Sequence, residues 1–528
     1  MTELKESNYW LDVAVRDIIA HYPSGEIVVS SGISPSASYH IGHFREIMTA
    51  DAIAWSLKQA GREARHVHVV DNFDPLRKRY DFLPESYEQY VGWPICLVPD
   101  PFEKCSSTHK TYAEHFYQEF AGYAEQMGVC PDEVVRSYED LYANGRMAEN
   151  IAKAVSNVDV IKRVSKEVSK RDLAEDWLPL QLLGPNNSFT ELTYVSIDTA
   201  GQTIVGSDSE GGEHVLDYSK GQVKMNWRLD WPARWNVLSV KVEPFSVQEH
   251  GAAGGSYATG ELFSRDVFGY EPPIPGVQYA NIHMLGDTKK MSSSKGNLIT
   301  PAQALDVMPP EVLRYFVVRS KPERTLFWDS GQGLFNLIKE YAAAKDAVES
   351  GQVSEFAEAY QFAIAPRESD MISSVPFDHL VQVYQAAQGD ESAAIDIIKR
   401  TGFSGVVDKQ HELIIREFKF VANWLDKYAP ESVVFKIQSK VPKVELTEEQ
   451  TYFLNLLADS IETTKGEIDG QAMHELIYAA KDKAELKPMQ AFQALYRVIL
   501  SKDSGPKAGW FLSSLDRDFL VPRLRLEK

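Results

Sequence analysis

The feature that most constrains this chain is an alternation near its start. "EIVVSSG" (26–32) is a short apolar run ending in serine and glycine, and a loop of small residues, "SPSASYHIGH", follows it. Phe44, Ile47, Met48, Ile53, Ala54 and Leu57 then recur at helical spacing, with Gly61 closing the helix, and "ARHVHVVDNFD" (64–74) reads as a second buried strand. Strand, loop, helix and strand make a right-handed βαβ unit, the start of a parallel, doubly wound sheet. Ligands of such sheets bind beyond the carboxyl ends of the strands. "SYHIGH" and "DNFDPLRK" both lie there.

The remainder divides into regions, as expected of 528 residues, too many for one ordinary core. Residues 80 to about 170 are mostly helical in pattern, and 189–227 reads as short strands with glycine turns. This stretch is expected to be an insertion between the halves of the sheet. The sheet resumes near "NVLSVKVEPFSVQEH" and "VQYANIHMLG", each a strand ending in polar residues and glycine. Beyond about residue 330 helices dominate, with a charged joint at 436–450. The expected division is therefore a sheet domain from 1–80 and 216–330, an insertion at 81–215, and a helical region at 331–528 in two parts.

Hydrophobic residues at 44% and charged residues at 25% fit a soluble globular protein, and no apolar run approaches a membrane span. Glu3, Lys5, Glu6, Asp12, Arg16 and Asp17 speak against a signal or transit peptide at the start. Cys96, Cys105 and Cys130 cannot all pair with one another, so a reducing cytoplasm is expected. With His109 they lack the tight C-x-x-C pairs of structural zinc sites, and no metal site is expected. A net charge of −20 argues against nonspecific nucleic-acid binding but permits a basic face on an acidic body. Clusters such as Lys436, Lys440 and Lys443 read, taken alone, as solvated surface.

Two segments share a chemical logic. His40 and His43 flank Gly42 at a helix start, where imidazoles and exposed N–H groups can donate to phosphate oxygens. Gly42 offers no Cβ to obstruct a close approach. "LGDTKKMSSSKGN" (285–297) follows a strand and carries Lys289, Lys290 and Lys295. A flexible lysine loop of this kind can close over outer phosphates and meet the charge of a leaving group.

His40-Ile41-Gly42-His43 and Lys290-Met291-Ser292-Ser293-Ser294 resemble the two signature motifs of class I aminoacyl-tRNA synthetases, in the right order and each after a strand. A short nucleotidyltransferase of the same superfamily is the first alternative, but the 200-residue helical region fits a module that holds tRNA better. "SGISPSASYHIGHFRE", "DNFDPLRK", "WRLDWPARW", "EPFSVQEHGAAGGSYATGELF" and "GPKAGWFLSSLDRDF" together resemble the class I lysyl-tRNA synthetases over nearly the whole chain. The resemblance implies a Rossmann-type catalytic domain, a connective insertion and an α-helical anticodon-binding region. It also implies lysine, ATP with Mg²⁺, and lysine tRNA as substrates, joined through a lysyl-adenylate, in a cytoplasmic enzyme expected to be a monomer.

Carried over residue by residue, the family pattern assigns His40, His43 and Lys290 to catalysis. His40, Gly42, His43, Lys290, Ser292 and Ser293 would meet ATP. Gly32, Ser34, Asp71, Trp227 and His250 would meet lysine. An aromatic face attracts an ammonium, which suits Trp227, whereas core packing explains Trp227, Trp231 or Trp235 equally well. The chain departs from the family at four places. His43 stands where the lysine family usually has Asn, and Ser34 where it more often has Thr. Ser293 replaces the second lysine of the general loop motif, which places more of the pyrophosphate charge on Lys290. "SVQEH" differs from the usual approach to His250. Two further alternatives remain: a catalytically silent tRNA- or lysine-binding paralogue, and a glutamate- or glutamine-type synthetase, which would need a basic side-chain pocket.

Overall fold

The computed structural model describes residues 7–102, 110–288, 291, 298–365 and 372–527. The chain forms two compact units. One comprises Met1–Pro301, Arg314–Phe327 and Ser354–Pro366, and the other Ala302–Leu313, Trp328–Val353 and Arg367–Lys528.

The first unit is α/β and Rossmann-type. Ile27–Ile33, the helix Phe44–Gln59 and Ala64–Val70 form the expected βαβ unit, with Ile27 opposite Ala64 and Ile33 opposite Val70 in a parallel register. Val28, Val29, Val67, Val69 and Val70 are buried, as β-branched residues covered on both faces of a parallel sheet should be. Two more parallel strands complete the central sheet, in the order Glu133–Arg136, Ala64–Val70, Ile27–Ile33 and Val240–Val242. The first strand in sequence thus sits inside the sheet: the chain runs from it through Ala64–Val70 to Glu133–Arg136 at one edge and later returns to its other side as Val240–Val242. That is a topological switch point, and a crevice opens there outside the carboxyl ends of the strands. Phe245–Ser246 pairs in parallel with Gln278–Tyr279 beside the same crevice.

The stretch after residue 80 differs from its helical reading. Among the described residues of 80–111 the one helical element is the short 3-10 turn Glu85–Tyr90, because Pro84, Pro94, Pro99 and Pro101 remove amide donors and break helical propagation. Helices follow at Tyr112–Gln126, Ala148–Ser156 and Val158–Ser169, but Glu133–Arg136 between them is a strand of the central sheet. The sheet therefore reaches into the stretch read as an insertion. Thr193–Asp198, Thr203–Ser207 and Glu213–Asp217 form a separate antiparallel sheet with glycine turns, as the sequence pattern indicates.

In the second unit the expected helices appear at Gln332–Glu349, Phe377–Ala386, Glu391–Ile398 and Ser404–Lys427, then at Glu448–Thr463, Gly470–Lys483 and Pro488–Leu500. Residues 428–447 between the two groups carry neither helix nor strand. The later group resumes with a capping box at Thr447 and Gln450, which satisfies two otherwise unpaired amides. Phe453, Leu457, Ile477, Leu495 and Phe511 are fully buried in its core.

Candidate active site

Ile41–His43 is one turn of 3-10 helix leading directly into the helix Phe44–Gln59. His40 caps it: its Nδ1 accepts the Gly42 N–H at 3.1 Å, and the Nδ1 of His43 accepts the His40 N–H at 3.1 Å. The acceptor role of His40 Nδ1 places that ring's proton on Nε2 in the neutral form, whereas His43 Nδ1 also lies 3.2 Å from His40 O, to which it would donate in the other tautomer. The ring centroids lie 3.9 Å apart. Gly42 has a specific reason to be glycine: a Cβ there would lie 2.8 Å from His40 Nδ1. The room is needed by the neighbouring imidazole.

These residues line a cavity of about 210 Å³ together with Gly32, Glu46, Glu249, Tyr279 and Asn281. Met291 also lines it, so the described part of the lysine loop reaches the histidine turn. The Ile41 N–H donates to Ile299 O at 3.1 Å, tying the chain just beyond that loop to the same turn. Lys290, Ser292 and Ser293 themselves lie outside the described residues, as do Lys289 and Lys295.

A second cavity of about 250 Å³ adjoins the first, and Gly32, Ile33, Glu46 and His250 line both. Ser34, Asp71 and Trp227 line the second, so all five residues assigned to the amino acid come together. Trp227 and Trp231 are half-buried on its wall, one helical turn apart, and the His250 ring lies 5.6 Å from Trp227 and 5.1 Å from Trp231. His250 is oriented by a 2.9 Å hydrogen bond between its Nδ1 and Ser256 Oγ. Trp235, the third of the series, is a core residue at 1% exposure.

Apart from Asp71, the electrostatics of this cavity rest on residues outside the motif assignments. Four carboxylates line it, those of Glu46, Asp71, Asp74 and Glu243, against one guanidinium, that of Arg234. Glu46 accepts the Gly32 N–H at 2.7 Å and the Tyr279 hydroxyl at 2.9 Å, yet burial pushes its pKa up to about 7. Glu243 is raised by burial as well, although Trp231 Nε1, Trp235 Nε1 and Ser30 Oγ all donate to it. Asp71 behaves oppositely. Burial opposes its ionisation, but Arg234 at 2.9 Å and Lys224 at 3.7 Å hold it down at about 2. Burial and the neighbouring Asp71 raise Asp74, whose oxygen lies 3.2 Å from Lys224. Lys224 and Arg234 also pair with fully buried Asp230. The sequence did hold signals for some of these. Glu46 follows His43 by three residues and Arg234 follows Asp230 by four, spacings that share a helix face.

Cys96 is buried and Cys130 exposed, whereas Cys105 and His109 lie outside the described residues. Among the described residues no group of three His, Cys, Asp or Glu side chains comes together to hold a metal, and no helix is long and apolar enough to cross a membrane.

A parallel sheet with a histidine–glycine–histidine turn at its switch point defines a class of nucleotide-using enzyme, and comparison with known proteins identifies which. Residues 8–364 match the family described as tRNA synthetases class I (K), and the chain belongs to that family. It is 39% identical to lysine–tRNA ligase 1 of Methanosarcina acetivorans over 98% of each chain. Its identity to the lysine–tRNA ligase of Methanosarcina barkeri is 38%, again over 98% of each chain. The lysine–tRNA ligase of Archaeoglobus fulgidus is 38% identical over 98% of this chain and 99% of that one.

Proposed function

We propose that the protein activates lysine with ATP and transfers it to lysine tRNA. The observation that carries this reading is the pair of adjoining cavities, one built on the histidine turn and the other lined by four carboxylates that, with buried Asp230, outnumber their two partner cations, Arg234 and Lys224. Excess negative charge in a buried pocket favours a cationic amino acid and disfavours glutamate, whose synthetase would need the opposite sign. The aromatic walls at Trp227 and Trp231 suit the alkyl stem and the ammonium of lysine.

ATP is assigned to the cavity of His40, Gly42 and His43, and lysine to that of Gly32, Ser34, Asp71, Trp227 and His250. The lysine carboxylate then lies at the shared wall and attacks the α-phosphate; the bond from that phosphorus to the β-phosphate oxygen breaks, and pyrophosphate leaves. No general base is needed, since the carboxylate is already ionised. The imidazoles of His40 and His43 would donate to phosphate oxygens as charge develops, each such donor worth roughly 2–4 kcal/mol of barrier. Lys290, with Ser292 and Ser293, would meet the departing pyrophosphate. Glu46, on that shared wall and bonded to Gly32, is the carboxylate we assign to the α-ammonium, which sits beside the reacting carboxylate of lysine. In the second step the terminal ribose of the tRNA attacks the lysyl-adenylate and AMP leaves. Mg²⁺ would arrive with the phosphates of ATP, and no step is routed through a metal held by the protein.

In this reading 1–80, the strand Glu133–Arg136 and 216–330 belong to the catalytic domain, the rest of 81–215 is the connective insertion, and 331–528 is the anticodon-binding region of a cytoplasmic monomer. The deciding experiment is attachment of each of the twenty amino acids to total tRNA with ATP and Mg²⁺. Lysine alone should be attached. Attachment of glutamate or glutamine would discard the pocket assignment, and binding of lysine or tRNA without any attachment would make the protein a silent paralogue.

A further inference from the structure

Arg45 stands between His43 and Glu46 in the first turn of the helix Phe44–Gln59, yet it lines neither of the two cavities. It is 1% exposed. Its Nη2 donates to Pro322 O at 2.7 Å and to Arg324 O at 3.1 Å, whereas Nη1 is buried without a hydrogen-bond partner. Carbonyl oxygens rather than a carboxylate hold the guanidinium. Burial lowers its pKa to about 10, an effect that Tyr279 and Glu323 offset in part. A guanidinium taken out of water without an ion-pair partner is costly to bury, and an apolar side chain of similar length would fill the space at less cost. The charge therefore calls for a role beyond packing.

The acceptors show what Arg45 holds. Pro322 O also accepts the Ala280 N–H at 2.9 Å, and the Leu326 N–H donates to Asn281 O at 3.3 Å. Residues 322–326 are thus fixed on one side to Arg45 and on the other to residues 280 and 281. Tyr279, Asn281 and Ile282 supply one part of the wall of the cavity assigned to ATP, and His40, His43 and Glu46 supply another. The Tyr279 hydroxyl donates to Glu46 at 2.9 Å, and the Arg45 guanidinium lies 5.9 Å from the centre of the Tyr279 ring. Arg45 joins the two parts from behind. We propose that Arg45 is a positioning residue for adenylate formation, which sets His43 against the wall of Tyr279 and Asn281 by bonding the carbonyls of Pro322 and Arg324. Arginine suits the task because one planar nitrogen aims two fixed hydrogens at two acceptors, whereas the ammonium of lysine is a single point on a flexible stem.

The proposal rests on the protein forming lysyl-adenylate, and its test separates the two. Pyrophosphate release in a single turnover, with lysine, ATP and tRNA supplied, is measured for wild type, Arg45→Met, His43→Ala and the double variant. Arg45→Met should slow release about 10²-fold, as expected when reacting groups shift by about 1 Å. Positioning predicts that the two losses do not add: beside His43→Ala, Arg45→Met should cost no more than about threefold. Loss of packing alone would carry its full cost into that background. Combined with Trp227→Phe, on the other cavity, Arg45→Met should keep its whole effect of about 10²-fold. Arg45→Lys, which retains the charge and can reach one carbonyl, should recover release to within about tenfold of wild type. Should Arg45→Met fold poorly, Arg45→Gln, which keeps one amide donor, replaces it in the cycle with the same expectation. Losses that multiply in the double variant, or wild-type release by a folded Arg45→Met, overturn the proposal. A wild type that releases no pyrophosphate with lysine overturns the reading of the enzyme, and this role with it.

Discussion

The backbone N–H of Gly32 donates to the carboxylate of Glu46 across 2.7 Å. That bond joins the end of the first strand to the first turn of the following helix, and it sets Glu46 on the wall shared by two cavities. A helix start beside an open strand end is the usual property of a βαβ unit. Here a carboxylate stands at the joint, and its protonation becomes coupled to what binds on either side.

The first prediction concerns that coupling. The pKa of Glu46 is raised from 4.5 to about 7, so the folded chain holds a proton there that the unfolded chain releases. The stability this contributes is present below pH 4.5 and is lost as pH rises through about 7. A bound ammonium favours the ionised form, so lysine binding near pH 7 should release a fraction of a proton, and lysine affinity should fall by up to tenfold per pH unit below that value. Calorimetry in buffers of different ionisation enthalpy measures the release. Glu46→Gln should abolish it and weaken lysine binding at least tenfold; lysine affinity constant from pH 6 to 8 would reject the role.

The histidine turn gives a second. His43→Ala removes one N–H donor and should slow adenylate formation by about 10²–10³, with lysine and tRNA affinity nearly unchanged. Gly42→Ala should also slow it, about 10- to 100-fold by our estimate from misplacing rather than deleting a donor, because the new Cβ would lie 2.8 Å from His40 Nδ1 and push that ring away. Single-turnover kinetics with tRNA present measures both. An unchanged rate for His43→Ala would remove that residue from the mechanism.

Asp71 supports a third. It is paired with Arg234 and Lys224, and Asp71→Asn leaves two buried cations facing fewer carboxylates. A loss of about 3–5 kcal/mol of stability is expected, together with a raised lysine KM. Because the Asp71 pKa is lowered to about 2, its contribution is complete above the ordinary carboxylate pKa of 3.8 and disappears as pH falls through 2. The stability difference between wild type and variant should therefore be flat from pH 5 to 8. Denaturant midpoints check this, and wild-type lysine kinetics would sink the assignment to the pocket.

The fourth lies beneath the sheet. His66 and His68 each bond Ser31 Oγ at 2.8 Å, and burial lowers their pKa values from 6.5 to about 4 and about 3. Between pH 6.5 and about 4 the unfolded chain takes up protons that the folded chain refuses, so stability falls as pH falls, by about 1.4 kcal/mol per unit for each histidine. His68→Gln keeps a partner for Ser31 and removes one titration. Its acid-side slope, from denaturant unfolding at pH 5, 6 and 7, should be smaller by about one proton.

The βαβ unit was legible because its cause is local. A valine-rich run, a 3.6-residue recurrence and a glycine stop each act within a few residues, and the His-Gly-His turn is a cap whose partners are two or three positions apart. The helices of the second unit were legible for the same reason. Glu133–Arg136 was not: four residues among helices announce no sheet, and only pairing with Val67–Val70 makes them a strand.

The site divides along the same line. The sequence by itself determined the motif residues, the βαβ frame that carries them, and through those the family. Only the tertiary structure decided the charge of the amino-acid cavity. Glu46, Asp71, Asp74, Arg234 and Glu243 come from four stretches up to 197 positions apart. Whether each ends ionised depends on burial and on neighbours such as Lys224, quantities that exist only once the chain has closed around them.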